Sequence, residues 1–286
     1  KLAVDISKEY NGEIINADSM QVYREIKILS ARPDCRTIKH HLYGFISVID
    51  KFSVGSWYKL AAEKIKQVNK RGKVAILVGG TGLYFKVLTD GLVEIPNVPK
   101  IDYSNLNPAG RFLMKKHYSD SYPKIFEGIN LNDIQRVSRA ISVYDSTGIT
   151  LSDWQKKKNK KFFKKNEFIK ICLTPPKPDL EKKIEKRFLN MLKNGAIEEA
   201  KRYKELGLSN YSLHTANSII GINEIGSFLE KKISMKQLKE KVLVRTRQYA
   251  KRQYTWQRGQ MKDWKGFSHT NYLDLRKKIL SYLSKT

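Results

Sequence analysis

The sequence predicts an α/β protein: a doubly wound parallel sheet interrupted by a mainly helical, basic insertion. Three observations carry this expectation. Ile14-Ile15 and Val74–Val78 (within KVAILVGG) are unbroken apolar runs of the kind that form parallel strands buried on both faces. Each run ends abruptly in small and polar residues, Asn16-Ala17-Asp18-Ser19 and Gly79-Gly80-Thr81-Gly82, as at the carboxyl ends of strands, where open α/β sheets place their ligands. Amphipathic helical stretches alternate with these runs, except across 98–165, which has no buried strand and many Lys, Tyr and Asn residues. The domain reading is therefore a core of 1–97 and 166–286 with an insertion at 98–165.

Taken in order, Leu2–Tyr10 has apolar residues at helical spacing and is ended by Gly12. A helix feeding the Glu13–Ile15 strand suggests that the chain is entered partway through a β-α-β unit, with a strand and turn ahead of Lys1. Tyr23 to Asp50 reads as loop. Its adjacent histidines, His40 and His41, point in different directions and make a poor metal pair, so packing and backbone contacts are the expected role. Phe52–Asn69 places Trp57, Leu60, Ala61, Ile65 and Val68 on one helical face. After the Val74–Val78 strand, the GGTG turn opens a further helix. Asp133–Thr147 is a helix with Ile134, Val137, Ile141 and Val143 on its apolar side and Gln135, Arg136, Ser138 and Arg139 opposite. Lys156–Lys165, nearly all base with two aromatics, reads as a mobile solvated loop. Phe168–Leu173 is a strand, Leu180–Asn194 and Ile197–Leu206 are helices closed by glycines, and Lys239–Arg258 is a basic helix with Val242, Tyr249 and Trp256 turned inward.

Charge narrows the function. Fifty-five Lys and Arg against 28 Asp and Glu leave a formal net charge of +27 over 286 residues, far more than solubility requires. A surplus of this size implies a polyanionic partner, nucleic acid first and an acidic membrane second. A lysine-rich coding bias is the competing explanation, but bias alone does not deplete acids. No apolar run approaches the ~20 residues of a membrane span. Two cysteines, Cys35 and Cys172, supply neither a disulfide framework nor a zinc site, which points to the cytoplasm.

Within this frame Asp18 is the candidate general base, or else the cap of the segment that follows it. Ser19 beside it can donate a hydrogen bond. Glycines flanking Thr81 let the backbone approach a ligand, and N–H groups at the following helix start favour phosphate; a tight turn with a Thr cap is the plainer reading. Arg136 and Arg139 are spaced to straddle a phosphate backbone, or else form a solvated face. Arg245, Arg247, Lys251, Arg252 and Arg258, interleaved with aromatics, suit RNA, or belong to a core helix with snorkelling ends.

The motifs NADSMQVY, LVGGTGLYFK, NDIQRVSRAISVYDSTGITLSDWQ and TRQYAKRQYTWQR occur in this order on one chain. In this the sequence closely resembles the bacterial tRNA dimethylallyltransferases, from Leu2 to about Arg258. The resemblance implies a P-loop NTPase-like core, whose phosphate-binding loop would end just ahead of Lys1. It implies transfer of a dimethylallyl group from dimethylallyl diphosphate to N6 of the adenosine beside the anticodon of tRNA, with Mg2+ as cofactor. The expected partners are the tRNA anticodon stem-loop and dimethylallyl diphosphate, with no membrane and a monomeric enzyme. By motif match, Asp18 and Thr81 are catalytic. Asp18, Ser19, Met20 and Gln21, the stretch Gln135, Arg136, Val137, Ser138 and Arg139, and Lys241, Arg245 and Thr246 bind tRNA; Thr81 and Arg247 bind diphosphate. The chain departs from the family at Asn217–Glu224, where an Arg or Lys often precedes the family's GY(K/R)E motif, and near Pro99-Lys100-Ile101, where the arginine that usually follows the family's post-strand DP turn has no clear counterpart. A nucleoside or nucleotide kinase sharing the same core and a non-catalytic RNA-binding module are the alternatives.

Overall fold

A computed structural model of the chain describes residues 1–34, 37–99, 106–207, 215–268 and 271–286. Cys35, Lys100 and Ile101 lie outside the described residues. The chain divides into two compact units. One holds Lys1–Thr89 and the described residues from Phe163 onward; the other is Asp90–Phe162.

The larger unit begins with α1 (Leu2–Glu9) and β1 (Gly12–Asn16), joined through a tight turn in which the Ser7 hydroxyl donates to the Gly12 carbonyl. β1 is buried along its whole length. It lies between β2 (His40–His41) and β3 (Val74–Val78), parallel to both, with Asn16 opposite Val78. The His40-His41 pair is thus a short strand rather than loop. His41 Nε2 meets the buried Glu13 carboxylate at 2.6 Å, and His40 Nδ1 lies 2.7 Å from the Ile38 carbonyl. Arg71 and Lys73 also pair with Glu13, at 2.7 and 3.2 Å. Burial alone would raise the pKa of this carboxyl, but the hydrogen bonds from His41, Arg71 and Lys73 outweigh it and hold the group at about 2. A charged residue in a central strand is tolerated here because its partners come from the neighbouring strand and from the turn that enters β3.

α2 (Val54–Lys70) starts on Ser53, whose side chain accepts the Ser56 N–H, and buries Trp57, Ala61, Ile65 and Val68 on one face. β3 departs from the both-faces-buried expectation: Val74 is half exposed and the rest only partly covered, because β1 is its only strand neighbour among the described residues. α3 (Gly82–Asp90) follows the GGTG turn.

The smaller unit contains α4 (Pro108–Ser121), α5 (Ile134–Thr147) and α6 (Leu151–Lys156). Each has a side-chain cap, from Asn107, Asp133 and Thr150, and Gly148 in the left-handed region closes α5. Ile125, Val137, Ala140 and Ile141 form its core. Its basic run is not a free solvated loop. Leu92 and Lys160 exchange both backbone hydrogen bonds (3.1 and 3.0 Å), and the Asn159 amide donates to the Asp90 carbonyl. Lys160 reaches Glu94, and Lys157 lies over the Trp154 ring. The chain entering and the chain leaving this unit are tied by these contacts.

Back in the larger unit, β4 (Ile171–Leu173) does not join the β2-β1-β3 sheet. It pairs in parallel with β5 (Lys265–Phe267), a strand absent from the sequence reading. α7 (Lys177–Lys193), α8 (Ala196–Glu205), α9 (Ile222–Leu229) and α10 (Met235–Gln260) precede β5, and α11 (Tyr272–Leu283) follows it. α7 starts three residues before the expected Leu180, with Pro178 in its first turn, where a missing N–H costs nothing. Ile225, Leu238, Val242, Phe188 and Tyr203 from these helices close a core with Val22, Tyr23, Ile26 and Leu29 from the loop after β1.

Candidate active site

The turn after β1 is built before Asp18 is reached. Asn16 is fully buried. Its amide donates to the Leu42 and Asp18 carbonyls (both 2.9 Å), its side-chain oxygen accepts the Asp18 N–H (2.8 Å), and its own carbonyl accepts Trp57 Nε1–H (2.9 Å). Every donor and acceptor at this strand end is committed, so the direction in which Asp18 leaves the sheet is fixed. Asp18 Oδ1 then accepts the Met20 N–H at 2.8 Å. The capping role and the crevice position therefore coincide, although no helix follows the cap.

β3 brings Thr81 alongside, because Asn16 and Val78 are partners in register. The Thr81 N–H donates to the Ala17 carbonyl (3.2 Å). Thr81 Oγ1 accepts the Ser19 N–H (2.9 Å) and donates to Ser19 Oγ (3.2 Å). Gly79 is required here, since a Cβ would run into the Ala17 carbonyl of the neighbouring turn. Met20 and Gln21 serve differently. Met20 packs on the core, and the Gln21 amide donates to the Ser30 and Ala31 carbonyls at 3.0 and 3.2 Å.

Asp18 is half-buried, and desolvation raises its pKa above the ordinary carboxyl value, against the Met20 and Gln21 N–H groups and the positive charge of Arg187 on α7. Arg187 is solvent-reachable, yet enough protein surrounds it for desolvation to lower its own pKa. Tyr249 of α10 is pushed up to about 12 by burial and by the Asp18 charge. Tyr84 is raised by burial as well and stacks on Trp57 with ring centroids 4.0 Å apart. Asp18 at the carboxyl end of β1 thus has the Thr81 and Ser19 hydroxyls at its turn and feels the Arg187 charge from α7.

Other candidates lie elsewhere in their units. On α5, Gln135 and Arg136 are exposed, Arg136 pairs with Asp133 at 3.3 Å, and Arg139 is half-buried with its pKa lowered by desolvation. Val137 is fully buried in the core of its unit, and Ser138 is also buried, with no partner for its hydroxyl among the described residues. Ser138 therefore does not share the polar face of Gln135 and Arg136, because the packed side of α5 is wider than its apolar pattern. On α10, Lys241 is exposed and the Thr246 hydroxyl bonds back to the Val242 carbonyl at 2.7 Å. Arg245 pairs with the buried Glu224, whose other oxygen accepts the Gly221 N–H. Arg247 lines a groove of about 320 Å³ with Pro178, Lys182 and Ile184 of α7. The α10 side chains that meet the Thr81 turn are instead Gln253 and Trp256.

Three residues of consequence have no role in the sequence reading. Asn16 reads there only as one of the small and polar residues that end an apolar run. Arg187 is hidden in a lysine-rich helix. Glu199, buried on α8, accepts the N–H groups of Lys27, Ile28 and Leu29 at 2.7 to 2.8 Å and so anchors the loop that Gln21 holds. Among the described residues no three His, Cys, Asp or Glu side chains converge, so these residues do not by themselves form a metal centre.

The family model described as IPP transferase matches residues 21–260. The chain belongs to this family. A Pelagibacter ubique protein named tRNA dimethylallyltransferase is 41% identical over 92% of this chain and 85% of its own length. A Bartonella henselae protein of the same name is 39% identical over 91% and 90%. The full-length tRNA isopentenylpyrophosphate transferase of Bacillus halodurans superposes with a TM-score of 0.69 at 25% identity, covering 100% of this chain and 91% of that one. The Staphylococcus epidermidis tRNA delta(2)-isopentenylpyrophosphate transferase gives 0.66 at 27%, covering 99% and 94%. The P-loop-type α/β fold expected from the sequence is the fold of the family. Thr81, α5 and α10 fall inside the matched stretch, and Asp18 and Ser19 lie just ahead of it.

Proposed function

We propose that this chain transfers the dimethylallyl group of dimethylallyl diphosphate to N6 of an adenosine beside the anticodon of tRNA, with Asp18 as the base. The observation that carries this reading is the pairing of Asp18 and Thr81 at the ends of two adjacent parallel strands, joined through Ser19. An exocyclic adenine amine is a weak nucleophile because its lone pair is delocalised into the ring. Asp18 accepts its proton as the C–N bond forms and the C–O bond to diphosphate breaks, a general-base contribution of ~10²–10⁴-fold. Desolvation makes Asp18 a stronger proton acceptor than a solvated carboxylate. The Thr81 hydroxyl, the N–H groups opening α3 and the Arg187 guanidinium supply positive potential for the departing diphosphate.

The target base has to leave its stack to enter the crevice. Exposed Gln135 and Arg136 in the helical insertion (98–165 by sequence) and the basic side of α10 hold the tRNA, with affinity that falls as salt rises. The relatives' shared name, over most of the chain, favours this reading over a kinase or a bare RNA-binding module. Mg2+ is the metal that the resemblance implies. No cluster of three or more His, Cys, Asp or Glu residues that could hold it is found among the described residues.

The test is incubation of the full chain with tRNA and either labelled dimethylallyl diphosphate or labelled ATP. The expected result is prenyl label in adenosine of the tRNA. Phosphorylated product without prenylated RNA would reject the proposal.

A further inference from the structure

In sequence, the glycines around Thr81 read as room for a phosphate. The structure gives two of them a different neighbour. Neither Gly80 nor Gly82 has a left-handed φ, so the backbone does not demand glycine at either place. A Cβ on Gly80 would fall on the Gln253 amide, and a Cβ on Gly82 would fall on the indole ring of Trp256. Gln253 Nε2 donates to the Gly80 carbonyl at 3.0 Å. Trp256 Nε1 is buried and makes no hydrogen bond among the described residues, so the ring acts here through shape. The same seam continues along α3, where Lys86 meets Gln260 at 2.5 Å and Phe85 meets the Trp264 ring edge-on. Tyr249, Gln253 and Trp256 share one face of α10 by their i, i+4, i+7 spacing.

We infer that Gln253 and Trp256 are positioning residues that seat the Thr81 turn from outside, and that Gly80 and Gly82 lack side chains in order to admit them. Thr81 lies between these two contacts, and its hydroxyl holds Ser19 beside Asp18. A rigid hydroxyl is worth more to a transition state than a mobile one, because a small displacement at the reacting centre is costly. The functional side of this inference rests on the proposed prenyl transfer; the structural side does not.

Two readouts separate them. In steady-state kinetics of the full chain, Trp256→Phe keeps kcat, since the lost N–H was unbonded. Trp256→Ala and the milder Gln253→Ala lower kcat about tenfold or more with little change in the KM for tRNA. Gly82→Ala also lowers kcat, but combined with Trp256→Ala it adds little, as expected of a contacting pair. Losses that multiply would mean that Gly82 answers to a ligand, and an unchanged kcat in Gln253→Ala and Trp256→Ala would also overturn the inference. Hydrogen exchange reads the seating whatever the reaction: amides of 79–84 and of Ser19 lose protection in both alanine variants, while β1 amides keep theirs. Unchanged exchange at Ser19 and 79–84 would overturn the structural side even in an active enzyme. A chain that shows the exchange effect but prenylates no tRNA would instead refute the functional reading alone.

Discussion

Two turns stand side by side at the carboxyl ends of β1 and β3, and they are held in opposite ways. The Asn16–Ser19 turn is saturated with hydrogen bonds from Asn16, Trp57 and Met20. The Gly79–Gly82 turn carries one polar side chain, Thr81, bonded to Ser19, and is otherwise fixed by what fits against it: the Ala17 carbonyl on one side, Gln253 and Trp256 on the other. Asn16 reaches partners 26 and 41 residues away to hold the first turn, whereas the second is met by a helix 173 residues further on. The Asp18 carboxylate is thus anchored by the bonds of its own turn, while the Thr81 hydroxyl beside it sits on a turn that α10 also meets. The difference predicts distinct consequences when either turn is disturbed.

The largest effect belongs to Asp18→Asn. Turnover should fall ~10²–10⁴-fold with tRNA binding retained in a filter or mobility-shift assay. Stability should hold or rise slightly. A carboxyl whose folded pKa is raised binds its proton more tightly in the folded state, so at neutral pH the ionised group opposes folding and a neutral amide does not. In the unaltered chain, kcat/KM should fall as pH drops through this raised value. Arg187→Gln, which removes a charge that lowers it, should move that acid limb to higher pH. A limb unmoved in Arg187→Gln would detach Arg187 from the base.

Asn16→Ala comes next and breaks the comparison from the other side. It orphans the Leu42 carbonyl and the Asp18 N–H, leaves the Asp18 carbonyl with the Gln21 N–H, and should destabilise the fold by about 2–4 kcal/mol in denaturant titration. Activity should fall with it, through displacement of Asp18. A variant as stable as the parent would mean that this turn is not held by its hydrogen bonds.

Glu13→Gln is the smallest and acts on both turns equally, since Glu13 ties β1 to β2 and to the entry of β3. A loss of about 1–3 kcal/mol is expected at neutral pH, because Arg71 and Lys73 are solvent-reachable and can rehydrate. A depressed carboxyl pKa gives stability that is present above the ordinary value of 4.5 and is lost as pH falls toward about 2. The difference between parent and variant should therefore narrow across that window. A constant difference would remove Glu13 from the acid response.

Much of this was legible in the linear chain. Ile14-Ile15 and Val74–Val78 announced strands because a buried parallel strand has no other way to be written, and Asp18 and Thr81 stood out as polar groups placed at their ends. Arg136 was visible as an exposed base on an amphipathic helix. The same pattern misjudged Ser138, since a serine is small enough to sit on either side of a packed helix. His40-His41 was read as loop because two residues carry too little periodicity to mark a strand, and β5 escaped for the same reason in Lys265–Phe267.

By itself the amino-acid order determined the class of fold, the large positive charge and the two strand ends where chemistry could sit, because hydrophobic periodicity and net charge are local or additive properties. Only the tertiary structure decided that β4 pairs with β5, that the Arg187 charge acts on Asp18, that Arg245 serves Glu224, and that Gly80 and Gly82 make room for Gln253 and Trp256. Each of these is a meeting of residues at least 21 positions apart, settled by packing that no single segment encodes.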